Sequence, residues 1–181
     1  MKDYGVEVEW KAFLLRPDMP PEGMARDPNN PRAIESRRRL TEMATEAGLE
    51  MRFKDHTSNS RLALEAAEFA RAEDQYEVFH RALFTAYWID RADIGDREVL
   101  LDLARKVRLD TAGLARALDE GTYSRVVDEE MSSAHKLGIN AVPSFVFDDQ
   151  YLVQGAQPYE AFQHVLERFV LSEEGHVEEK P

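Results

Sequence analysis

The amino-acid sequence predicts an α/β protein in which a block of consecutive helices is inserted into a small sheet. Apolar and charged residues alternate from residue 6 to 14, which is typical of a half-buried strand. Amphipathic helical patterns follow one another from about residue 31 to 137. Two short β-rich runs, 145–147 and 151–153, then flank a polar loop and precede a last helix. Such an insert would form a lid over the sheet.

Composition limits the classes of function. The chain has 181 residues and a net charge of −12, so a nucleic-acid partner is not predicted, because phosphate binding needs a basic face. The mean hydropathy is −0.52, and no run approaches the ~20 apolar residues of a membrane span. The first residues have neither a basic nor an apolar signal region. We therefore predict a soluble, cytoplasmic protein without a membrane partner.

Several kinds of chemical site are absent from the sequence. No cysteine occurs, which excludes disulfides, thiolate metal sites and thiol nucleophiles. The five histidines show no paired ligand spacing, so no metal site is predicted. No glycine-rich phosphate-binding motif occurs, and no cofactor is predicted. The pair Asp148 and Asp149 is interpreted as an ordinary turn.

The first elements after the opening strand are a loop and a helix. Residues 16–31 contain many Pro and Gly residues and predict a long ordered surface loop. A helix is predicted from about Pro31 to Ala47, with Gly48 as its C-cap. Residues 49–54 predict a short strand-like or extended piece.

Further helices are marked by their ends and by apolar spacing. Ser58, Asn59 and Ser60 offer N-cap side chains to the second helix. An aromatic stripe follows from residue 76 to 88; such a stripe is usually core, and lining a ligand is its second interpretation. The remaining start and stop signals are Asp96, Asp110, Gly121, Gly138 and, at the first position of the last helix, Pro158.

The corner at Val142-Pro143 is the first candidate site. A Pro at the mouth of a strand does least damage to a ladder, so a trans Pro that starts the strand is the plain interpretation. A cis bond would display the backbone groups of Val142 to an extended peptide or a thiol ligand. The sequence alone leaves both interpretations open.

An ordered set of motifs resembles one known family. The chain is similar to the DsbA-like branch of the thioredoxin fold, specifically to FrnE-like proteins and to their relatives, the 2-hydroxychromene-2-carboxylate isomerases and kappa-class glutathione transferases. The motifs are VEVEW (6–10) with PDMP (17–20), NSRLALEAA (59–67), LFTAYW (83–88), GINAVP (138–143) and GAQP (155–158). Each is weak alone, but their order is specific. The resemblance implies a cis Val142-Pro143 bond and one domain at 1–171, with a strand and loop at 5–31, a mainly helical insert at 32–137, and a hairpin and last helix at 138–171. The tail at 172–181 is acidic and has no apolar pattern, so we expect it to be mobile.

The chain departs from this family at its start. The family begins with another strand and with a helix that carries a Cys-Pro-Trp-Cys motif, or a Ser in the isomerases and transferases, and we expect neither element here. Three explanations are open: an N-terminally shortened version of a complete protein, which we favour, a non-catalytic relative with a binding groove beside Pro143, or a gap filled by a partner's strand in a homodimer.

The resemblance implies a protein disulfide oxidoreductase, but we expect this chain to be redox-inactive, because exchange requires a thiolate. One alternative is a glutathione-dependent isomerase or transferase, which would contact its ligand through Asn59, Val142, Tyr87 and Trp88. The other is a non-catalytic module that holds an extended peptide at Val142 and Pro143. No catalytic residue is predicted within the chain.

Overall fold

The computed structural model describes residues 4–174, with 169–174 described by their backbone alone. Its helices are α1 (Pro31–Glu46), α2 (Arg61–Ala72), α3 (Tyr76–Trp88), α4 (Arg97–Val107), α5 (Thr111–Glu120), α6 (Ser124–Lys136) and α7 (Tyr159–Glu174). Its strands are β1 (Met24–Ala25), β2 (His56–Thr57), β3 (Ser144–Phe147) and β4 (Tyr151–Gln154). The mixture of helices with a few short strands confirms the predicted α/β class.

Local capping sets the ends of several helices. The Asn30 side chain accepts hydrogen bonds from the backbone N–H groups of Arg32 and Ala33 at the start of α1. The predicted caps Asp96 and Asp110 are confirmed, since each side chain accepts from the first turn of the helix that follows. These helices begin where the sequence predicts because a cap needs only neighbouring residues.

The predicted loop at 16–31 is confirmed except for β1 near its end. β1 pairs antiparallel with β2, and Met24 lies opposite Thr57. Gly23 precedes the pair with φ +75°, and a Cβ at that position would lie 2.3 Å from the Thr57 carbonyl oxygen. Only glycine meets both requirements. Residues 49–54, predicted to be extended, form no helix or strand.

The prediction of a strand at 6–14 is wrong. These residues belong to no strand, and Val6, Val8 and Trp10 are exposed. The backbone N–H of Ala12 donates to the Glu130 side chain, and that of Leu14 donates to Met131 Sδ at 2.9 Å. Side chains of α6 therefore satisfy backbone groups that a neighbouring strand would otherwise bind, and no ladder forms.

The contacts divide the chain into two compact units. One unit, residues 12–132, has a helical core in which Phe79, Leu100 and Leu114 are fully buried. The inner face of α2 is rich in alanine, which lets α3, α4 and α5 approach it closely. A second cluster packs Ala12 and Leu14 against α6. The single-domain organisation stays a prediction.

The other unit contains residues 4–11 and 133–174. The predicted hairpin is confirmed as the antiparallel pair of β3 and β4, and the rings of Phe145 and Phe147 pack on Phe162 of α7 with centroid distances of 4.8 and 6.3 Å. α7 begins one residue after Pro158 and continues to Glu174, three residues into the predicted tail at 172–181. The remainder of that tail, 175–181, lies outside the described residues.

Candidate functional site

The Val142-Pro143 corner stands at the entrance to β3. The peptide bond between the two residues is cis. The carbonyl of Pro143 accepts the backbone N–H of Gly155 at 2.7 Å, and the Ser144 hydroxyl donates to the Ala141 carbonyl, also at 2.7 Å. Val142 is 48% exposed, and its backbone N–H and C=O form no hydrogen bond within residues 4–174. At this exposed corner, Val142 thus has one backbone donor and one backbone acceptor that no described residue binds.

The free edge of β3 continues from this corner. Opposed residues of an antiparallel pair alternate between bonded and non-bonded positions. The bond from Gly155 to Pro143 therefore assigns Phe145 and Phe147 to the bonded positions that face β4. The backbone groups of Ser144 and Val146 face the opposite edge. Within the described part of the chain, no strand pairs with that edge.

Asn59 lies in the helical unit and has a structural function there. Its side-chain Nδ2 donates to the backbone carbonyls of Met19 and Pro20 at 2.8 and 3.2 Å, and its Oδ1 accepts the Arg61 N–H at 2.9 Å. These bonds hold the loop at 16–23 against the first turn of α2. Both N–H groups of the amide are therefore used within the protein. The ligand role of Asn59 stays a prediction.

Tyr87 and Trp88 form the end of α3 and are half-buried. Their rings meet edge to face at 4.8 Å, and Trp88 also packs against Phe53 at 5.9 Å. Lys54 Nζ lies 4.9 Å from the centroid of the Tyr87 ring, within the range of a cation–π interaction. The structure therefore brings the two rings together, with residues 53 and 54 packed against them. A ligand role for Tyr87 and Trp88 also stays a prediction.

A polar cluster beside Tyr87 was missed by sequence reasoning. Lys54 Nζ donates to Ser58 Oγ at 2.9 Å and to the Ala92 carbonyl at 2.6 Å, and Ser58 hydrogen-bonds the Asp93 carboxylate. His56 Nε2 lies 3.2 Å from Asp93 Oδ2 but is not aligned for a hydrogen bond. The sequence carried one signal for this cluster, since every second position of an extended stretch places its side chain on the same side. Lys54, His56 and Ser58 have this spacing.

Two pKa shifts describe this cluster. Burial lowers the pKa of Lys54, an effect that the nearby Asp93 charge opposes in part. For Asp93, burial acts to raise the pKa, but hydrogen bonds from Ser58 and the Gly95 N–H, together with the charges of Lys54 and His56, lower it overall. The hydrogen bonds of the cluster join the loop at 89–95 to the segment at 51–58, and the Ser58 hydroxyl belongs to a buried residue.

Comparison with known proteins identifies the family. The model of the DsbA-like thioredoxin domain matches residues 1–167. The chain belongs to the DsbA-like thioredoxin family. It is 29% identical to the uncharacterized protein YwbO of Bacillus subtilis over 92% of this chain and 84% of that protein. This DsbA-like domain thus has the thioredoxin-like fold implied by the sequence motifs.

Solved structures agree with the fold. The crystal structure of a probable DsbA oxidoreductase from Streptomyces coelicolor superposes with a TM-score of 0.79 at 24% identity, over 94% of this chain and 76% of that one. A structure from Nitrosomonas europaea gives 0.65 at 13% identity, over 83% of this chain and 79% of that one. In the described part of this DsbA-like chain, no group of three or more acidic or histidine side chains could hold a metal ion, and no helix could cross a membrane.

Proposed function

We propose that this DsbA-like chain, of the FrnE-like branch, binds an extended peptide at Val142 and along the free edge of β3 without itself exchanging disulfides. The observation that carries the proposal is that Val142 is exposed and that its backbone N–H and C=O form no hydrogen bond among the described residues. A peptide strand binds such an edge through its own main-chain groups. The ordered motifs at 59–67, 83–88 and 138–143 support the branch.

The edge of β3 extends the binding surface beyond the corner. The outward backbone groups of Ser144 and Val146 continue the row that Val142 begins, so a peptide antiparallel to β3 would find donors and acceptors at every second residue. Side chains of the peptide would alternate between the two faces of the sheet, and the Phe145 and Val146 side chains, both partly exposed, would lie beside them.

The absence of a thiol sets the chemical limit. Thiol–disulfide exchange proceeds by attack of a thiolate and passes through a mixed disulfide. The 181 residues hold no cysteine, so these residues supply neither the attacking sulfur nor a partner for the mixed disulfide. We therefore infer a recognition function for this chain as it stands.

The first experiment measures redox activity. The purified chain is assayed for reduction of insulin by dithiothreitol, with a Cys-x-x-Cys thioredoxin as the positive control. We expect the uncatalysed rate at every concentration of the chain. A rate that rises in proportion to the chain concentration would refute the redox-inactive part of the proposal.

The second experiment measures peptide binding with a single probe, the S-methylated insulin B chain, which has no free thiol. Amide NMR signals of Val142, Ser144 and Val146 should shift on titration. Val146→Pro removes an N–H that faces the free edge and leaves the ladder to β4 intact, so the Kd for the probe should rise about tenfold.

Leu152→Pro is the matched control for this variant. Leu152 lies opposite Val146, so its N–H also faces away from the hairpin, but at the outer edge of β4. The Kd of this variant should stay within about twofold of the wild type. Equal weakening by both substitutions, or no shift at Val142 on titration of the wild type, would contradict binding at the β3 edge.

A further inference from the structure

Two aromatic rings of β3 lie on one face of the hairpin, next to the free edge of that strand. The side chains of Phe145 and Phe147 alternate with that of Val146, so they share a face, and both rings pack on Phe162 of α7. Phe145 is nevertheless 38% exposed, and Phe147 and Phe162 are only half-buried. The face therefore keeps apolar surface that a ligand could cover.

The unit that contains the hairpin buries few of its apolar side chains. Of residues 4–11 and 133–168, Ile139 is the one buried hydrophobic residue. Four residues at the corner and in the hairpin are 37–48% exposed: Val142, Phe145, Val146 and Tyr151. A third strand beside β3 would remove part of this surface from water, which favours an apolar strand as the ligand.

The hydrogen-bond pattern of β3 decides which of its side chains a bound strand would approach most closely. The backbone groups of Phe145 and Phe147 face β4, so both residues would stand in non-bonded pairs with a peptide antiparallel to β3. Opposed Cα atoms are about 4.5 Å apart in such pairs and about 5.5 Å apart in bonded ones. The peptide residues opposite the two rings therefore make the closest side-chain contacts. They lie two positions apart in the peptide and point to the same face.

The far end of β3 adds negative charge to this surface. Asp148 and Asp149 follow Phe147 directly, both are exposed, and neither forms an ion pair with a described residue. Asp148 accepts only a neutral donor among the described residues, Gln150 Nε2 at 3.0 Å. The N-terminal part of an antiparallel peptide would lie at this end of β3. Because the chain as a whole carries a net charge of −12, complementarity favours a basic residue there.

We propose that the peptide bound at the β3 edge contains a basic residue followed by two apolar residues with a single residue between them. The two apolar side chains, β-branched or aromatic, pack beside the Phe145 and Phe147 rings, because such cross-strand pairs stabilise sheets. The residue between them pairs with Val146 through backbone hydrogen bonds, and the basic residue lies beside Asp148. This inference rests on the proposed function and specifies which peptides that edge selects.

The test compares synthetic peptides of equal length by amide NMR titration of the full chain. The parent, acetyl-Lys-Val-Thr-Val-Thr-Thr-Thr-amide, has the length needed to lie opposite residues 142–148. In acetyl-Lys-Thr-Val-Val-Thr-Thr-Thr-amide the composition and charge are the same, but adjacent valines point to opposite faces and only one can meet the rings. Its Kd should be about fivefold higher.

A third peptide tests the charge by placing Glu where the parent has Lys. At low salt its Kd should be about threefold higher than that of the parent, since an exposed ion pair contributes little. At high salt this difference should disappear, because salt screens exposed charges. The difference between spaced and adjacent valines should remain at high salt, because it depends on packing.

A variant of the chain locates the selective contact. Phe145→Leu keeps an apolar side chain against Phe162 but removes the ring, so the difference between spaced and adjacent valines should fall to about twofold. Tyr151→Leu is the matched control, because Tyr151 lies opposite Phe147 on β4, away from the free edge of β3, and the fivefold difference should remain. Circular dichroism checks that each variant is folded.

The outcomes separate this inference from the proposed function. Equal Kd values for spaced and adjacent valines, or for Lys and Glu at low salt, would overturn the inference. If the amide signals of Val142, Ser144 and Val146 still shifted in those titrations, peptide binding at the edge would stand. No shift with any peptide would refute both.

Discussion

Arg61→Leu is expected to destabilise the helical unit by removing the cation that joins α2 to α6. The Arg61 guanidinium donates to Glu65 at 2.7 Å, to Asp128 at 2.6 Å and to the Ser124 carbonyl at 3.0 Å. The Glu65 side chain is 5% exposed and, among the described residues, otherwise accepts one bond, from the Ser124 hydroxyl at 2.8 Å. The substitution leaves this buried carboxylate with a single neutral donor.

The magnitude follows from the burial of each partner. Breaking a buried ion pair from one side costs about 3–5 kcal/mol, because the remaining charge stays desolvated. Arg61 is 30% exposed, which favours the lower limit, about 3 kcal/mol in the free energy of unfolding. Asp128 is 63% exposed, so Asp128→Asn should cost only about 0.5 kcal/mol. Replacing Arg61 and Glu65 together by Leu removes both charges and should cost about 1 kcal/mol or less.

The assay is urea unfolding at pH 7, monitored by far-ultraviolet circular dichroism, for the three variants and the wild type. The reasoning predicts that Arg61→Leu is the least stable and that adding Glu65→Leu recovers most of the loss. An Arg61→Leu variant no less stable than Asp128→Asn would refute the argument, as would a double variant less stable than the single one.

Three further predictions concern other parts of the helical unit. Burial raises the pKa of Tyr76 to about 12, so one tyrosine should ionise last in an absorbance titration, and that step should vanish in Tyr76→Phe. The stability that Tyr76 contributes below about pH 10 should be lost as the pH rises toward 12. Gly23→Ala should lower the free energy of unfolding in urea by more than about 2 kcal/mol, because its Cβ would clash with Thr57. Gly48→Ala, at φ +69° with open space around it, should lower it by about 1 kcal/mol. Equal losses would contradict the clash. The pKa of Asp93 is lowered overall against the effect of burial, so its contribution to stability is present above about pH 4 and is lost as the pH falls through the pKa of the folded state. Asp93→Asn should therefore be less stable than the wild type at pH 7 and should lose less stability on acidification. Parallel curves of stability against pH for the two proteins would exclude this contribution of Asp93.

The candidate site was predictable to different degrees. The corner at Val142-Pro143 and the hairpin after it could be inferred because proline and turn residues act over a few positions. The cluster of Lys54, Ser58 and Asp93 could not, since about 35 residues separate its two segments and only the packing of the loop at 89–95 brings them together. Tyr87 and Trp88 were interpreted first as core and second as ligand contacts, and the structure packs Lys54 on the first ring and Phe53 on the second.

The sequence by itself determined the helices, the hairpin and the lack of thiol chemistry. An α-helix satisfies its hydrogen bonds within its own segment, so caps such as Asp96 and Asp110 place its ends without reference to the rest of the chain. A two-strand hairpin is similarly local, because its turn sets the register. No arrangement in space can add a thiol to a chain without cysteine.

Only the tertiary structure decided the conformation of residues 6–14. Their alternating pattern is that of a strand, but a strand forms only where a neighbouring backbone completes its hydrogen bonds. In this structure Glu130 and Met131 of α6 bind the N–H groups of Ala12 and Leu14 instead. Side-chain alternation describes which residues can face a core, whereas the hydrogen-bond partner depends on a helix more than 100 residues further along the chain.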